Sequence, residues 1–218
     1  MNLSKKVIVL FAMSVAISAT SCHTAENTKN ISKTPVVDAI MARRSIRNYK
    51  DMPVEREKLE LLAKCGVMAP SSHNNQTWEV RVVDSKAWID SCSNTYVEAI
   101  KKAGKYDRMK FMFTQPYRNI FRNAPAVIFI GTKPESRFAC EGIGMLGENI
   151  MLAAGDLGLG SCALGTALEI FAEPGMEEFV KSLEFPEGYT LRYALAIGYP
   201  DETPEATPRD LSKIRFVE

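Results

Sequence analysis

Two short polar blocks hold the side chains of this chain that are best suited to binding chemistry. The first, Arg43-Arg44-Ser45-Ile46-Arg47, places three guanidinium groups and a hydroxyl within five residues. Arginine keeps its charge and donates paired hydrogen bonds, which suits a phosphate. The second block, residues 70–78, reads Pro-Ser-Ser-His-Asn-Asn-Gln-Thr-Trp and offers donors and acceptors that need no deprotonation. Together they suit a ligand with a phosphate at one end and a flat, polar-edged ring at the other, a description that fits flavin mononucleotide (FMN).

Each block also has an ordinary structural explanation. Cations are favoured at a helix C-terminus, and loops rich in Ser and Asn are commonly turns. If the chain is extended just after a first helix, however, Arg43, Ser45 and Arg47 share one face. The second block lies between an apolar helix and a strand that begins at Trp78, so both of its ends are anchored.

The elements that must position these blocks alternate between helices and strands. Thr34-Pro35 is typical of a helix start, and this helix should end near Arg44. The apolar periodicity then predicts helices at 54–66, 86–121 (mostly helical), 137–157 and 173–183, and strands at 78–83, 124–130, 161–164 and 189–197. Residues 214–217 could form a last strand. The pattern indicates an α+β fold with one mixed central sheet flanked by helices.

One motif points to a different cofactor site. Residues 142–147 spell Gly-x-Gly-x-x-Gly, but a dinucleotide-binding loop needs a strand running directly into the glycines. Here the candidate strand ends about ten residues earlier. We therefore expect the glycines to lie inside a helix, where Gly144, Gly147, Met151 and Gly155 would let another helix approach closely.

Composition excludes several other classes of protein. The 218 residues are 46% hydrophobic and carry a formal net charge of +1, so nothing indicates a nucleic-acid partner. His23 and His73 are the only histidines, which excludes a His-rich metal site, and we expect no metal. The cysteines Cys65, Cys92, Cys140 and Cys162 form no metal-binding spacing, and a disulfide among them stays open. The surroundings of Cys65, Cys140 and Cys162 favour packing roles.

The N-terminus is typical of an export signal. Lys5 and Lys6 precede an apolar run, residues 7–17, which is too short to span a bilayer. Small residues before Cys22 resemble a lipoprotein cleavage site, so residues 1–21 are predicted to be a signal peptide, with Cys22 lipidated. Ordinary cleavage near Ala19 is the alternative. Residues 22–33 would form a flexible tether, and residues 34–218 a domain on the periplasmic side of the cell envelope, anchored only by lipid.

The two blocks, with further motifs in order, identify a family. Arg-Arg-Ser-Ile-Arg-x-Tyr, then Ala-Pro-Ser-Ser-x-Asn-x-Gln-x-Trp, resembles the flavin-dependent nitroreductase superfamily. The run at 148–161 (Glu-Asn-Ile-Met-Leu-Ala-Ala, then Gly-Leu-Gly-Ser) and Ala-Ile-Gly-Tyr-Pro at 196–200 are similar to its central helix and last core strand. These matches cover residues 34–209.

The resemblance implies a homodimer that binds FMN between its subunits and exchanges a C-terminal arm. Arg43 and Ser45 would hold the phosphate, and Arg47 would lie near the pyrimidine edge of the ring. The partner subunit would supply the second block. The complete set implied by the resemblance is Arg43, Arg44, Ser45, Arg47, Pro70, Ser71, Ser72, Asn74, Gln76, Leu164, Gly165 and Arg209. Thr207 and Thr77 depart from the family pattern, which often has Lys and Pro there.

The implied activity is ping-pong hydride transfer from NAD(P)H to an electron-poor acceptor such as a nitroaromatic or a quinone. The chemistry would be that of the flavin, with no catalytic side chain. Two alternatives stay open. Residues 96–121 could form the helical lid of a reductive dehalogenase-like member, or be a solvated helical excursion. A membrane-tethered flavoprotein could instead use a donor other than nicotinamide, since free NAD(P)H is scarce outside the cytoplasm.

Overall fold

The computed structural model describes residues 34–114 and 118–218. The predicted signal peptide (1–21), lipidation site Cys22 and tether (22–33) lie outside the described residues. The chain divides into two compact units, one up to residue 41 and one from residue 42 onward. Helix α1 (Pro35–Ala42), which belongs to the first unit except for its last residue, begins as predicted, because the Thr34 hydroxyl oxygen accepts a hydrogen bond from the Val37 N–H at 3.4 Å.

The second unit carries the predicted alternation of helices and strands. Its elements are α2 (Arg56–Val67), β1 (Trp78–Val83), α3 (Lys86–Lys102), α4 (Tyr106–Met109), β2 (Ala126–Thr132), α5 (Ala139–Asp156), β3 (Gly160–Leu164), α6 (Ala167–Phe171), α7 (Glu177–Ser182) and β4 (Thr190–Gly198). Short 3₁₀ turns occur at Ser72–Asn74, Lys110–Phe113 and Leu211–Lys213. The predicted strands within residues 78–197 are all present, with boundaries shifted by two residues or fewer.

The four strands form one sheet in the order β1-β2-β4-β3. The predicted α+β fold is confirmed, but the ladders are antiparallel throughout, where a mixed sheet was expected. A parallel component does exist in the described residues as the isolated bridge between Ser45 and Ser161. That bridge lies on β3, the edge strand, so the segment after α1 covers an edge that would otherwise expose unpaired backbone groups.

Strand β2 organises two cores, one on each face of the sheet. All seven of its residues are buried, and alternate side chains enter opposite clusters. Val127 and Phe129 join a cluster with α3, α6 and the segment around Phe121. Ile128 and Ile130 join the cluster with α2 and α5. Burying one such side chain stabilises the fold by roughly 1.5–3 kcal/mol, so this strand anchors both layers.

The glycines of the Gly-x-Gly-x-x-Gly motif lie inside α5, as predicted, but they pack differently from the expectation. A Cβ on Gly147 would lie 2.0 Å from the hydroxyl of Tyr193 on β4, so this glycine lets the sheet, not a helix, approach. Gly144 and Gly155 face open space within the chain. The close helix–helix contact comes from Gly66 of α2, where a Cβ would lie 2.8 Å from Ile150.

The segment considered as a lid is anchored in the core over its described part. Tyr96 and Ile100 of α3 and Met112 are buried. Lys105 Nζ lies 2.6 Å from Glu173 Oε1, which ties the end of α3 to the loop after α6. Apolar burial therefore anchors this stretch at both ends, whereas most residues between 101 and 111 are exposed. The lid and the solvated excursion both stay predictions.

Two regions depart from the predicted elements. Helix α6 was not predicted, since its five residues are too few to show a periodic pattern. The strand suggested for residues 214–217 does not form, and the apolar side chains there remain exposed, up to 95% for Val217. Among the described residues, none of the helices combines the length and the apolar character needed to cross a bilayer.

Candidate functional site

The basic block runs along the edge of the sheet as an extended segment. The Ile46 N–H donates to the Ser161 carbonyl at 2.9 Å, next to the parallel bridge between Ser45 and Ser161. Ile46 is buried, and its side chain fills the space above Gly160, where an added Cβ would lie 2.8 Å away. The glycine in β3 thus allows the basic block to approach the strand closely.

Contacts with the side chains of the block hold the guanidinium groups near β3 and α5. Arg43 Nε lies 3.5 Å from Glu148 Oε1 on α5. Arg47 donates to the Ser45 carbonyl at 3.3 Å, and Arg44 donates to the Arg43 carbonyl at 2.9 Å. The structure therefore places the predicted residues of the first block in one extended segment along β3, with Arg43 beside α5.

A carboxylate that sequence reasoning missed lies against this stretch. Glu202 Oε1 accepts hydrogen bonds from two consecutive backbone amides, those of Arg47 and of Asn48, the latter at 3.2 Å. The two partners are more than 150 positions apart in sequence, and no local motif links them. The contact depends on the turn after β4, which brings residue 201 beside residue 48.

Beneath the block lies a buried pair of titratable side chains, Tyr49 and Cys162. The Tyr49 hydroxyl donates to the Ile46 carbonyl at 2.6 Å and lies 3.2 Å from the carbonyl of Ala196 on β4. Burial raises the pKa of Tyr49 well above its usual value. Burial also raises the pKa of the Cys162 thiol, while the charges of Arg47, Arg122 and Arg43 act in the opposite direction.

Arg43, Arg47 and Arg122 are thus close enough to Cys162 for their charges to act on its thiol, as is the carboxylate of Glu202. Arg122 was not predicted as part of this group, and its Nε and Nη1 atoms are buried. It precedes β2 by four residues, so its action on Cys162 of β3 depends on the strand order of the sheet. The positive charges of the block and of Arg122, with Ser45 beside them, make this part of the molecule suited to an anion.

The packing roles predicted for three cysteines are confirmed in part. Cys162 is buried in the core, and so is Cys92. Cys65 is half-buried. Cys140 is exposed, contrary to expectation, because it lies on the first turn of α5, beside Arg192 at 3.9 Å. All four cysteines are free thiols, so none of them forms a disulfide with another.

The second polar block forms a tight loop with a strained backbone. His73, Asn74 and Gln76 have φ values of 52°, 56° and 47°, in the left-handed region that non-glycine residues seldom adopt. The Ser71 hydroxyl oxygen accepts from the Gln76 N–H at 3.0 Å, and Gln76 Nε2 donates to Asn74 Oδ1 at 3.2 Å. The loop thus has a defined shape, with Pro70, Asn74 and Gln76 at the surface.

The remaining predicted residues lie at the end of β3 and in the C-terminal segment. Leu164 ends β3 and is buried, whereas Gly165 faces open space. Four residues separate Ser161, at the bridge, from Gly165, which corresponds to roughly 13 Å along a strand. Arg209 lies in the exposed C-terminal segment and donates to the Thr207 carbonyl at 3.1 Å.

Comparisons with known proteins show where this arrangement recurs. The Nitroreductase family matches residues 40–199. A protein of Archaeoglobus fulgidus that bears the name NADH dehydrogenase/NAD(P)H nitroreductase is 30% identical over 168 residues, covering 75% of this chain and 84% of the relative. An iodotyrosine deiodinase of Thermotoga neapolitana is 22% identical over 188 residues, covering 82% of this chain and 96% of the relative. The crystal structure of a nitroreductase with bound FMN from Desulfitobacterium hafniense superimposes with a TM-score of 0.73 at 28% identity, covering 85% of this chain and all of that one.

Proposed function

Because the chain belongs to the nitroreductase family, we propose that it is an FMN-dependent oxidoreductase that uses NAD(P)H to reduce an electron-poor acceptor. The acceptor would be a nitroaromatic or a quinone, and both substrates would use one site in turn, by a ping-pong mechanism. The relative from Archaeoglobus fulgidus and the FMN-bound structure from Desulfitobacterium hafniense support the choice of reductant and cofactor.

The observation that carries this proposal is the bridge between Ser45 and Ser161. It joins the arginine block to β3, which ends at Leu164, directly before Gly165. A phosphate near Ser45 and a ring near Gly165 would lie roughly 13 Å apart, which suits an elongated mononucleotide. The cations around Cys162 fit the phosphate, since arginines outnumber the one carboxylate, Glu202, among the charges that act on this thiol.

The residues of this chain have distinct tasks in the proposed site. Arg43 and Ser45 would hold the phosphate, with Arg44 beside them, and Arg47 would lie beside the pyrimidine edge of the ring, where a cation favours the reduced state. The backbone at Leu164 and Gly165 would allow the ring to approach, because glycine has no Cβ. FMN, when bound, supplies the capacity to accept a hydride and pass on two electrons.

We propose that the site is completed in a homodimer. The loop residues Pro70, Ser71, Ser72, Asn74 and Gln76 would contact the FMN of the partner subunit. The exposed C-terminal arm would wrap around the partner, since Leu211, Ile214, Phe216 and Val217 leave apolar surface uncovered within one chain. Arg209 would then approach the phosphate as part of this arm.

Export is part of the proposal and rests on the sequence alone. Residues 1–21 would be a signal peptide, Cys22 the lipidated residue and residues 22–33 a tether that holds the domain at the envelope. The C22S variant should release the protein from membranes and abolish labelling by a fatty-acid analogue. A variant that stays membrane-bound and labelled would refute lipidation.

The function is tested by the absorbance of the purified protein, followed by anaerobic reduction with NADH and then with NADPH. We expect bound FMN that is bleached by a nicotinamide, and parallel double-reciprocal plots when a nitroaromatic or quinone is varied. Colourless protein whose NAD(P)H oxidation is not restored by added FMN would refute the proposal. Bound FMN that neither nicotinamide reduces would instead favour a tethered flavoprotein with another electron donor.

A dehalogenase-like activity is the second candidate, favoured by the similarity to the iodotyrosine deiodinase. The burial of Tyr96, Ile100 and Met112 weighs against a lid built from that part of the chain. Titration of the oxidised flavoprotein with a halotyrosine distinguishes the two activities. Tight binding with a change in flavin absorbance would favour dehalogenation, and unchanged absorbance would favour the nitroreductase activity.

A further inference from the structure

We infer that Glu202 is a positioning residue that holds the backbone of the arginine block in the shape that receives the FMN phosphate. The inference rests on the proposed FMN site and concerns a residue outside the set of expected cofactor contacts. Glu202 would act through the backbone of Arg47 and Asn48 without touching the cofactor.

The geometry is that of a carboxylate bound to a turn. One oxygen of Glu202 accepts from the amides of both Arg47 and Asn48. These amides lie between two bridges, at Ser45 and at Tyr49, and so belong to a stretch without a regular ladder. Hydrogen bonds to an ionised acceptor are about twice as strong as neutral ones, so this contact can define the local backbone.

Neighbouring hydrogen bonds join the same two segments, residues 199–202 and residues 47–50. The Asp201 N–H donates to the Asn48 carbonyl at 3.0 Å, and Asn48 Nδ2 donates back to the Asp201 carbonyl at 3.1 Å. The Lys50 N–H donates to the Tyr199 carbonyl at 2.9 Å. Residues 199–202 therefore clamp residues 47–50, and Glu202 is the member of the clamp nearest to the arginines.

Glu202 has two effects on an incoming phosphate, and they have opposite signs. Its hydrogen bonds order the block, which strengthens binding. Its negative charge lies beside the Arg47 backbone and opposes the effect of Arg47, Arg122 and Arg43 on Cys162, so it weakens the attraction for an anion. Substitutions separate the two effects, because E202Q keeps an acceptor oxygen and loses the charge, whereas E202A loses both.

The test titrates apo protein with FMN and with riboflavin, which lacks the phosphate, and follows flavin fluorescence. We expect E202A to bind FMN about tenfold more weakly than wild type. Riboflavin should lose less than about threefold, because it shares with FMN only the contact of the ring with Arg47 and makes no phosphate contacts. We expect E202Q to bind FMN as tightly as wild type or more tightly. E205A, which removes an exposed carboxylate from the same segment, is the matched control and should bind FMN like wild type.

Each other result overturns the inference. Because E202A and E202Q both lose the charge, equal FMN affinities of the two variants would show that the hydrogen bonds of Glu202 do not position the block. Tighter binding by both E202A and E202Q would show that Glu202 acts only through its charge. Equal losses for FMN and riboflavin would indicate general disruption. A wild-type protein that binds neither flavin would refute the proposed function itself, and the inference with it.

Discussion

Replacement of Gly160 by alanine should weaken FMN binding, although the added methyl group lies on the core side of the arginine block. A Cβ at this position would lie 2.8 Å from both Cβ and Cγ1 of Ile46. Such contacts are too short to persist, so one side must move. Because Ile46 Cβ is bonded directly to the backbone, rotation of the side chain cannot relieve the contact, and the segment itself must shift.

The magnitude follows from the contacts that the shift disturbs. Overpacking of a close contact costs about 1–3 kcal/mol of the free energy of unfolding. The shift would also strain the hydrogen bond from the Ile46 N–H to the Ser161 carbonyl, now 2.9 Å long. If the shift of the segment makes the free energy of FMN binding about 1.4 kcal/mol less favourable, the Kd for FMN rises about tenfold.

A second strand glycine supplies a matched control. A Cβ on Gly131 in β2 would lie 2.8 Å from the ring of Phe185, so G131A introduces a comparable contact away from the arginine block. Urea unfolding of the apo proteins should show a loss of stability in both variants. Fluorescence titration with FMN should show weaker binding for G160A alone.

Two results would refute this reasoning. If G160A is destabilised but binds FMN with the wild-type Kd, the position of the arginine block does not determine affinity. If G131A loses as much affinity as G160A, binding responds to overall stability and not to the contact between Gly160 and Ile46.

Three further outcomes are expected. G147A should lower the free energy of unfolding, measured in urea, by about 2–4 kcal/mol, because the added Cβ would displace the Tyr193 hydroxyl from its hydrogen bond. The control G144A should cause no loss, since its Cβ would meet open space. Equal losses in the two variants would contradict this explanation. Burial raises the pKa of the Cys92 thiol from 9.0 to about 12 in the folded protein. Between these two values the thiol is deprotonated in the unfolded chain but still protonated in the folded one, so the free energy of unfolding should fall as the pH rises from 9 towards 12. The C92A variant should reduce that slope by up to about 1.4 kcal/mol per pH unit, and an unchanged slope would be contrary evidence. Deletion of residues 210–218 should convert the proposed homodimer to monomer in sedimentation, and a deletion variant that sediments as a dimer would refute the role of the arm.

Much of the fold could be predicted because its signals are local. The uninterrupted apolar run of β2 predicts a strand buried on both faces, and Thr34-Pro35 predicts the start of α1. The five-residue α6 has no such signal. The order and direction of the strands depend on pairings between residues that are distant in sequence. The local patterns do not reveal these pairings, so the expectation of a mixed sheet was wrong.

The site divides in the same way. The arginine block and the loop at 70–78 are contiguous, so their composition alone indicates a phosphate and a polar-edged ring. Glu202 and Arg122 reach the block only through the folded chain. The role of Gly147 was also mistaken, because periodicity places it on a helix face but does not reveal that Tyr193 lies opposite.

The backbone bonds that flank the arginine block have a consequence for how the protein opens. The Ile46 and Lys50 amides donate to Ser161 on β3 and to Tyr199 just after β4, so the block cannot detach without disturbing the edge of the sheet. In amide hydrogen exchange, these two amides should be protected together with those of β3 as one cooperative unit. The cofactor would then enter a site already shaped in the apo protein, and its loading would be a binding event separable from folding.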